Sequence, residues 1–246
     1  MKNKQEKSHH LEQEISWMYF NHRVLQEAQY KTVPLLGRFC FLGIYSNNLD
    51  EFFRVRVALL NRIEHSQKQE KRVAQETLSK IHKLYKRYTV EFEETFSALK
   101  SELEEQGICI LNETQINETQ QKKVLQLFSE KLNLHFYPRL FLKNSNFKDI
   151  NDECVYLAIR ILAKSGQKEY ALLEVPTGIF GRFIEIPCED SNGKTFMFLD
   201  DVIRLCLPQI FVGQEHVQFG AYAFKVTVPH QTRPCGSNRI CSQHFH

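Results

Sequence analysis

Apolar residues in the first part of the chain recur every three to four positions, which is the spacing of an amphipathic helix. The pattern predicts a first helix over roughly Phe20 to Tyr30. A second begins near Pro34, a residue suited to a first helical turn, and a third begins near Asn48. A fourth, long helix runs from about Val73 to Glu105. The charged residues 67–72 are predicted to form an exposed turn between the last two.

After Gly107 the pattern changes to short apolar or alternating runs bounded by turn residues, which is typical of β-strands. The predicted strands cover Ile108–Leu111, the run from Val155 to Ile161, Tyr170–Val175, Arg182–Ile186, Thr195–Leu199 and Phe219–Thr227. Two helices are predicted among them, over Thr119 to Phe136 and from Asp200 and Asp201, as caps, to Phe211. The fold class is therefore α+β, with an N-terminal antiparallel helical domain over residues 1–107 and a mixed α/β domain over residues 108–227.

A polar cluster, Ser46 to Asn48, stands between two apolar runs and predicts the end of one buried helix and the start of the next. Two adjacent amides there need hydrogen-bond partners or a ligand. Asn48 precedes Glu51 by three residues, as in a capping box, and Asp50 with Glu51 complements a helix N-terminus. The residues alone favour a capping role for Asn48.

Two basic residues follow this cluster. Arg54 is four residues after Asp50, which predicts an ion pair along the helix. Arg56 falls on the apolar stripe with Leu60, so it is predicted to need a buried partner, either a phosphate or a carboxylate.

Bulk properties exclude several classes of protein. The formal charge of +3 does not by itself indicate a nucleic-acid binder, and no apolar run is long enough to cross a bilayer. The first ten residues lack an apolar signal core, so secretion is not expected. Five cysteines lie singly in or beside apolar segments and are predicted to be reduced, mostly buried thiols of a cytosolic protein: Cys40, Cys109, Cys154, Cys188 and Cys206.

Several blocks of sequence closely resemble the polyphosphate kinase family. The block FLGIYSNNLDEF at 41–52, followed by an aromatic residue and a V-R pair, is nearly identical to the family's own. The segment at 15–28 resembles its opening LSWLxFNxRVLQEA, that at 170–176 its YALLEIP, and that at 198–204 its LLDNILR. The blocks occur in the family order from about residue 12 to Thr227.

The resemblance implies an enzyme that transfers the γ-phosphoryl of ATP reversibly to inorganic polyphosphate through a phosphohistidine, with Mg²⁺ as the metal. It implies that residues 108–227 are the start of the family's head domain, here truncated, and that the histidine and the metal ligands belong to a C-terminal half. On this basis the chain is expected to have no catalytic residue and to be inactive alone. It has no GxxxxGK[ST] or GxGxxG segment as a substitute phosphate cradle.

Within this chain the resemblance assigns one ligand residue, Asn48, as a contact to the nucleotide. This favours binding over capping, and the two roles are compatible. Arg56 matches a family arginine and is the second candidate. The resemblance also implies a homo-oligomer formed through the helical domain, a cytoplasmic location and peripheral membrane association of the family complex.

The last residues, 228–246, depart from the family pattern. They hold two prolines, two cysteines and three histidines but few apolar residues, so an aberrant, disordered tail from a frameshifted or prematurely ended reading frame is expected. The alternative is a zinc site made of His230, Cys235, Cys241, His244 and His246, although Cys-x5-Cys is not a usual zinc spacing. Elsewhere, four histidines show no pattern of a catalytic base: His22, His65, His82 and His135.

Three functions therefore compete. The first is the N-terminal fragment of a polyphosphate kinase. The second is a non-catalytic binding or dimerisation module in which the long helix from Val73 to Glu105 pairs with another chain. The third, a helical nucleic-acid binder, is disfavoured because no basic face with interleaved aromatic residues is evident in the sequence.

Overall fold

The structure, a computed structural model, describes residues 2–64, 68–140, 150–151, 154–187, 193–212, 216–227 and 240–242. The chain divides into two compact units, one built from residues up to Leu103 and the other from Glu104 to Thr227. The first consists of helices and the second contains two sheets, so the predicted α+β class is confirmed. Among the helices in the described ranges, none is long and apolar enough to cross a membrane.

Two long antiparallel contacts organise the first unit. Its elements are α1 (Lys2–Glu27), α2 (Leu35–Phe52), a π-helical turn (Phe53–Val57), α3 (Ala58–Glu64) and α4 (Lys68–Glu105). Two ring contacts show that α2 runs antiparallel to α4: Phe39, near the start of α2, contacts Phe96, and Phe53, just after its end, contacts Tyr85. It is also antiparallel to α1, and α4 buries its apolar side against both.

Helix boundaries differ from the predicted ones at the start of α1 and at the start of α4. Helix α1 begins far before Phe20. Residues 68–72 are helical, so the predicted exposed turn is wrong there; charged residues are good helix formers, and Arg72 pairs with Glu76 one turn later at 2.9 Å. The C-terminal boundary of α4 is confirmed. Gly107 follows it with φ 79°, the left-handed conformation that ends many helices.

Arg38 fixes three helices of the first unit to one another. The residue lies in α2 and is only 5% exposed. Its Nε donates to the carbonyl of Ala28, just after α1 ends, at 2.8 Å, and a terminal nitrogen donates to Glu102 of α4 at 2.6 Å. A buried guanidinium is tolerated here because a carbonyl and a carboxylate both accept its hydrogen bonds.

The second unit contains two sheets. Its strands are β1 (Ile108–Leu111), β2 (Arg139–Leu140), β3 (Val155–Ala163), β4 (Lys168–Val175), β5 (Phe183–Ile186), β6 (Lys194–Phe198), β7 (His216–Thr227) and β8 (Ile240–Ser242). The smaller sheet has the order β1-β6-β5, with β1 parallel to β6. The larger has the order β2-β4-β3-β7-β8, with every pair antiparallel.

The helical segments of the second unit cover the apolar sides of its sheets. They are α5 (Glu118–Leu127), a π-helical turn (Phe128–Leu132), a 3-10 turn (Asn133–His135), α6 (Thr177–Phe180) and α7 (Leu199–Ile210). Leu157, Ile159 and Ile161 of β3 are almost fully buried, as their predicted alternation requires. They join Phe128 and residues of α7 in one core.

The predicted tail lies mostly outside the described residues. There the structure describes only Ile240–Ser242, which pair with Lys225–Thr227 and extend the larger sheet. Disorder of the remaining tail stays a prediction. The candidate zinc ligands His230, Cys235, His244 and His246 lie outside the described residues, as do His65 and Cys188; Cys241 is described only as part of β8.

Candidate functional site

Asn48 lies inside α2, so the predicted helix break at Ser46–Asn48 and the capping role of Asn48 are both wrong. The helix continues because this segment contains no glycine or proline to interrupt it and because the amide finds a partner in another helix. Nδ2 of Asn48 donates to Oδ1 of Asn21 in α1 at 3.1 Å. The half-buried side chain of Asn48 is therefore positioned by a contact between helices.

Asn21 determines which way the Asn48 amide faces. It is 1% exposed, and its Nδ2 donates to the backbone carbonyl of Tyr45 at 3.1 Å. Because that carbonyl only accepts, Asn21 must point its own oxygen towards Asn48, which in turn must donate. Among the described residues, the Asn48 side chain makes one hydrogen bond, the one to Asn21. Its Oδ1 and its second N–H are therefore left for another partner.

The side chain of Arg56 is less buried than predicted. It is 43% exposed and pairs with Glu14 of α1 at 3.5 Å, whose side chain is only 8% exposed. Within the π-helical turn the core position is taken by Val57, four residues after Phe53, and Arg56 lies beside it. The predicted carboxylate partner is present, and Arg56 faces α1 like Asn48 does.

Arg54 forms an ion pair with Glu51, whereas the predicted partner was Asp50. A terminal nitrogen of Arg54 lies 3.7 Å from Glu51, one turn earlier. The side chain of Arg54 is 12% exposed and Asp50 is buried as well. Both residues take part in further interactions, so the predicted pairing of Asp50 with Arg54 stays a prediction.

Aromatic rings support α2 around Asn48. Trp17 of α1 stacks on Phe52 with ring centres 4.3 Å apart and planes 8° from parallel. Tyr45 stacks near Phe92 of α4 at 5.7 Å. Burial raises the pKa of the Tyr45 hydroxyl, which therefore stays protonated at neutral pH. These contacts pack α2 against α1 and α4 on both sides of Asn48.

His22 has partners that its sequence neighbours did not indicate. Its ring stacks on Tyr88 with centres 4.0 Å apart, and its Nε2 lies 2.8 Å from a carboxylate oxygen of Glu91. Both partners lie in α4, more than sixty residues away along the chain. The only sequence signal was the period of α4, which puts Tyr88 and Glu91 on adjacent turns.

A cluster of charged side chains surrounds the start of α7. Asp200 and Asp201 were predicted to cap this helix, but the N-cap is Phe198 and makes no side-chain hydrogen bond. Both carboxylates lie in the first turn and are buried. Arg204 contacts both, and Arg182 lies 3.3 Å from Asp200. The acidic residues therefore complement two half-buried arginines as well as the helix N-terminus.

One carboxyl of this cluster holds a proton near neutral pH. Burial raises the pKa of Asp201 to about 7, with help from Asp200 and from a hydrogen bond with Glu113, while Arg204 lowers it. A neutral Asp201 can donate to Glu113 while its other oxygen accepts from Arg204. The cluster links β1, through Glu113 just beyond its end, to α7.

The cysteines are less buried than predicted. Four of the five predicted thiols are seen as free cysteines: Cys40 is exposed, Cys109 and Cys154 are half-buried, and Cys206 is buried. Burial raises the pKa of Cys206 to about 12. The prediction of reduced thiols holds for these four, whereas burial holds for Cys206 alone.

The described residues do not assemble a metal site. Nowhere in that part of the chain do three His, Cys, Asp or Glu side chains approach closely enough to hold an ion. These described side chains therefore form no site for Mg²⁺. An amide and a guanidinium fit a nucleotide better, because the amide can recognise a base or a ribose and the arginine can neutralise a phosphate.

Comparison with known proteins identifies two matched segments. A family model described as the polyphosphate kinase N-terminal domain matches residues 10–111, and one described as the polyphosphate kinase middle domain matches residues 119–229. The solved structure of the polyphosphate kinase of Porphyromonas gingivalis matches with a TM-score of 0.77 and 30% identity, over 90% of this chain and 33% of that chain.

Curated polyphosphate kinases show the same relation. That of Vibrio vulnificus is 38% identical over 227 residues, which is 89% of this chain and 32% of the relative. That of Yersinia pestis is 39% identical over 221 residues, 88% of this chain and 32% of the relative. The chain thus spans about 32% of the length of these relatives. Because the two domain models follow each other along nearly the whole sequence, the chain belongs to the polyphosphate kinase family.

Proposed function

We propose that this chain carries the nucleotide-contacting part of a polyphosphate kinase, in which ATP and inorganic polyphosphate are the substrates. Asn48 is the contact to ATP. The observation that carries the proposal is the pair of hydrogen-bonded amides, the buried Asn21 and the half-buried Asn48. Asn21 is fixed by the Tyr45 carbonyl and fixes Asn48 in turn, so Asn48 has one acceptor and one donor available in a set direction. An oriented neutral amide suits recognition of a nucleotide without adding charge.

Arg56 is the second proposed contact. Its guanidinium is 43% exposed, and its pairing with Glu14 at 3.5 Å is loose for a charge-assisted hydrogen bond. A phosphate oxygen of ATP can therefore replace or share the carboxylate. Glu14 then sets how strongly Arg56 attracts a phosphate, because the two anions compete for one cation.

The phosphoryl transfer itself is proposed only for the whole family enzyme. The chain covers about 32% of its curated relatives, and its matched segments are an N-terminal and a middle domain. We expect these 246 residues alone to make no acid-stable polyphosphate from ATP and Mg²⁺ above a no-enzyme control. A cytoplasmic location is also proposed, because the described cysteines are free thiols, as in a reducing compartment.

Equilibrium ATP binding to the chain tests the role of Asn48. Loss of one neutral hydrogen bond costs about 1 kcal/mol, so Asn48→Ala is expected to raise the Kd for ATP about fivefold. Asn47→Ala is the matched control, since Asn47 is the preceding residue of the same helix and is exposed. This variant should change the Kd by less than about twofold.

A second variant separates contact from fold. Asn21→Ala leaves the Asn48 amide in place but removes the group that orients it, so it should weaken ATP binding less than Asn48→Ala while lowering the melting temperature by a similar amount. If Asn48→Ala lowers the melting temperature and leaves the Kd for ATP unchanged, Asn48 serves the packing of α1 on α2 and the proposal fails.

Homo-oligomer formation is the second proposed property, and the surface differs from the predicted one. The apolar side of α4 packs into the unit's own core, where Leu78, Ile81 and Leu99 are at most 6% exposed. It is not available to pair with another chain. Helix α2 instead exposes Leu36 by 68% and Ile44 by 47%, two turns apart on one face.

Sedimentation velocity distinguishes these surfaces. Ile44→Lys should shift the chain towards monomer, because a charge on the exposed apolar face of α2 opposes its burial. Val90→Lys is the control on α4, where Val90 is 54% exposed. An oligomer that survives Ile44→Lys and dissociates with Val90→Lys would assign the contact to α4.

A further inference from the structure

The two halves of α4 differ in charge. Residues 77–90 contain Lys80, Lys83, Lys86 and Arg87 with His82 and no acidic residue, whereas residues 91–105 contain six glutamates and one lysine. All five basic side chains of the first half are exposed. The small net charge of +3 hides this separation, which places a positive field on the middle of α4.

A groove runs along this basic half. It has a volume of about 470 Å³ and is lined by Asn61 of α3 and by six residues of α4: Gln75, Leu78, Ser79, His82, Lys83 and Lys86. The α4 residues recur at helical spacing on one face, and Gln75 to Lys86 spans about 16 Å of helix. The groove is therefore long enough for several units of a linear polymer.

The lysines of the groove keep their charges available. In the described part of the chain neither Lys83 nor Lys86 is recorded in an ion pair, and Glu76, the acidic residue of α4 just before this half, pairs with Arg72 at 2.9 Å. Ser79, Asn61 and His82 add neutral hydrogen-bonding groups beside the two ammonium groups. A row of cations and donors with only Leu78 as an apolar member is suited to an anionic ligand.

The lining also indicates which polyanion fits. Nucleic-acid grooves combine cations with aromatic rings on which bases stack, yet no Phe, Tyr or Trp lines this groove. A polymer that consists of phosphate alone needs no such ring. We propose that this groove binds a segment of linear inorganic polyphosphate along α4. The choice of polymer rests on the proposed function, while the choice of site rests on the charges and the groove.

Anisotropy of end-labelled linear polyphosphate, titrated with the whole chain at low ionic strength, tests the site. Lys83→Gln with Lys86→Gln should raise the Kd roughly tenfold. It should also reduce the slope of log Kd against log salt by about one for each lysine removed. Glutamine is a good helix former, so α4 is preserved, and Lys83→Arg with Lys86→Arg should restore binding if charge is the cause.

A matched control removes the same charge away from the groove. Lys31→Gln with Lys100→Gln lies outside the groove lining and, at about 0.15 M salt, should change the Kd by at most about twofold, because charges more than about 8 Å apart are then largely screened. Equal losses in both double variants would overturn the groove as the site. Binding of single-stranded DNA of equal charge as tightly as polyphosphate would overturn the choice of polymer.

ATP binding keeps this inference separate from the proposed function. The groove variants should leave the Kd for ATP unchanged, and Asn48→Ala should leave polyphosphate binding unchanged. If Asn48→Ala has no effect on ATP while the groove variant loses polyphosphate, the nucleotide proposal fails and the groove stands. The reverse pattern removes the groove and retains the nucleotide contact.

Discussion

Replacement of Asp201 by asparagine should make the second unit less sensitive to pH. Asparagine has the shape of a protonated aspartic acid and can still donate towards Glu113 and accept from Arg204. The pKa of Asp201 is raised from 3.8 to about 7 in the folded chain. Below pH 4 the carboxyl is neutral in both states, so no stability is lost. Between about pH 4 and pH 7 the unfolded chain releases a proton that the folded chain keeps, and stability falls as the pH rises.

The size of the effect follows from the same shift. Each pH unit in this window changes the free energy of unfolding by at most about 1.4 kcal/mol. Asp201 is 11% exposed and lies against Arg204, which favours its ionised form. A value well below the limit is therefore expected, about 1–2 kcal/mol between pH 5 and pH 7. Asp201→Asn removes this loss, so the variant should gain stability relative to the parent as the pH rises.

Thermal unfolding of both proteins at pH 5, 6, 7 and 8 measures the difference, with roughly 4 °C expected for each kcal/mol in a domain of this size. Glu130→Gln serves as the control, because it removes an exposed carboxylate of the same unit and should leave the pH dependence unchanged. If the melting temperatures of the parent and Asp201→Asn fall in parallel from pH 5 to pH 8, Asp201 is ionised throughout and the assignment of the proton is wrong.

Three further outcomes are expected. Arg38→Met should lower the free energy of unfolding by about 2 kcal/mol, measured by urea denaturation, because it leaves the carbonyl at the end of α1 without its donor. Leu173→Ala should cost about 2–5 kcal/mol by the same measurement, since Leu173 is fully buried in β4, whereas Leu140→Ala at an exposed position should cost less than about 0.5 kcal/mol. Alkylation of the native chain at pH 8, followed by mass spectrometry, should label Cys40 before Cys206, because burial raises the pKa of Cys206 to about 12; labelling of both at equal rates would contradict the packing of α7.

The regular elements were predictable because they follow local patterns. Helix α4 combines a sustained apolar period with a terminating glycine at Gly107, and its C-terminal end matched the prediction. Strand β3 alternates between buried and exposed positions, so its inward residues were identified from the sequence. Both signals depend only on neighbouring residues, whose spacing is visible in the sequence.

Errors arose where a distant residue satisfies a polar group. Asn48 was predicted to be a helix cap because its hydrogen-bond partner, Asn21, is 27 residues away. No local sequence pattern indicates that contact. Asp200 and Asp201 also resembled caps, yet their charges are met by Arg182 and Arg204 inside the fold. A polar residue between apolar runs therefore indicated that a partner was needed, without indicating which one.

A different error came from helix geometry. The predicted stripe assumed 3.6 residues per turn and assigned Arg56 to the core. At the π-helical turn Phe53–Val57 the core position falls on Val57 and not on Arg56, while Leu60 further along the stripe is buried as predicted. Such a turn leaves no mark in composition. The outcome for the candidate site is that Arg56 keeps a partly exposed guanidinium near α1.

The charges of α4 oppose the dipole of that helix. Its last turn contains Glu102, Glu104 and Glu105 and no basic residue, although the C-terminal end of a helix carries a partial negative charge. Each such glutamate costs about 0.3–1 kcal/mol at low ionic strength, and Arg38 offsets one of them at Glu102. As an isolated peptide, α4 would therefore form more helix as salt is added. Its order in the protein therefore depends on the tertiary contacts of its apolar side, and its own charges contribute little to it.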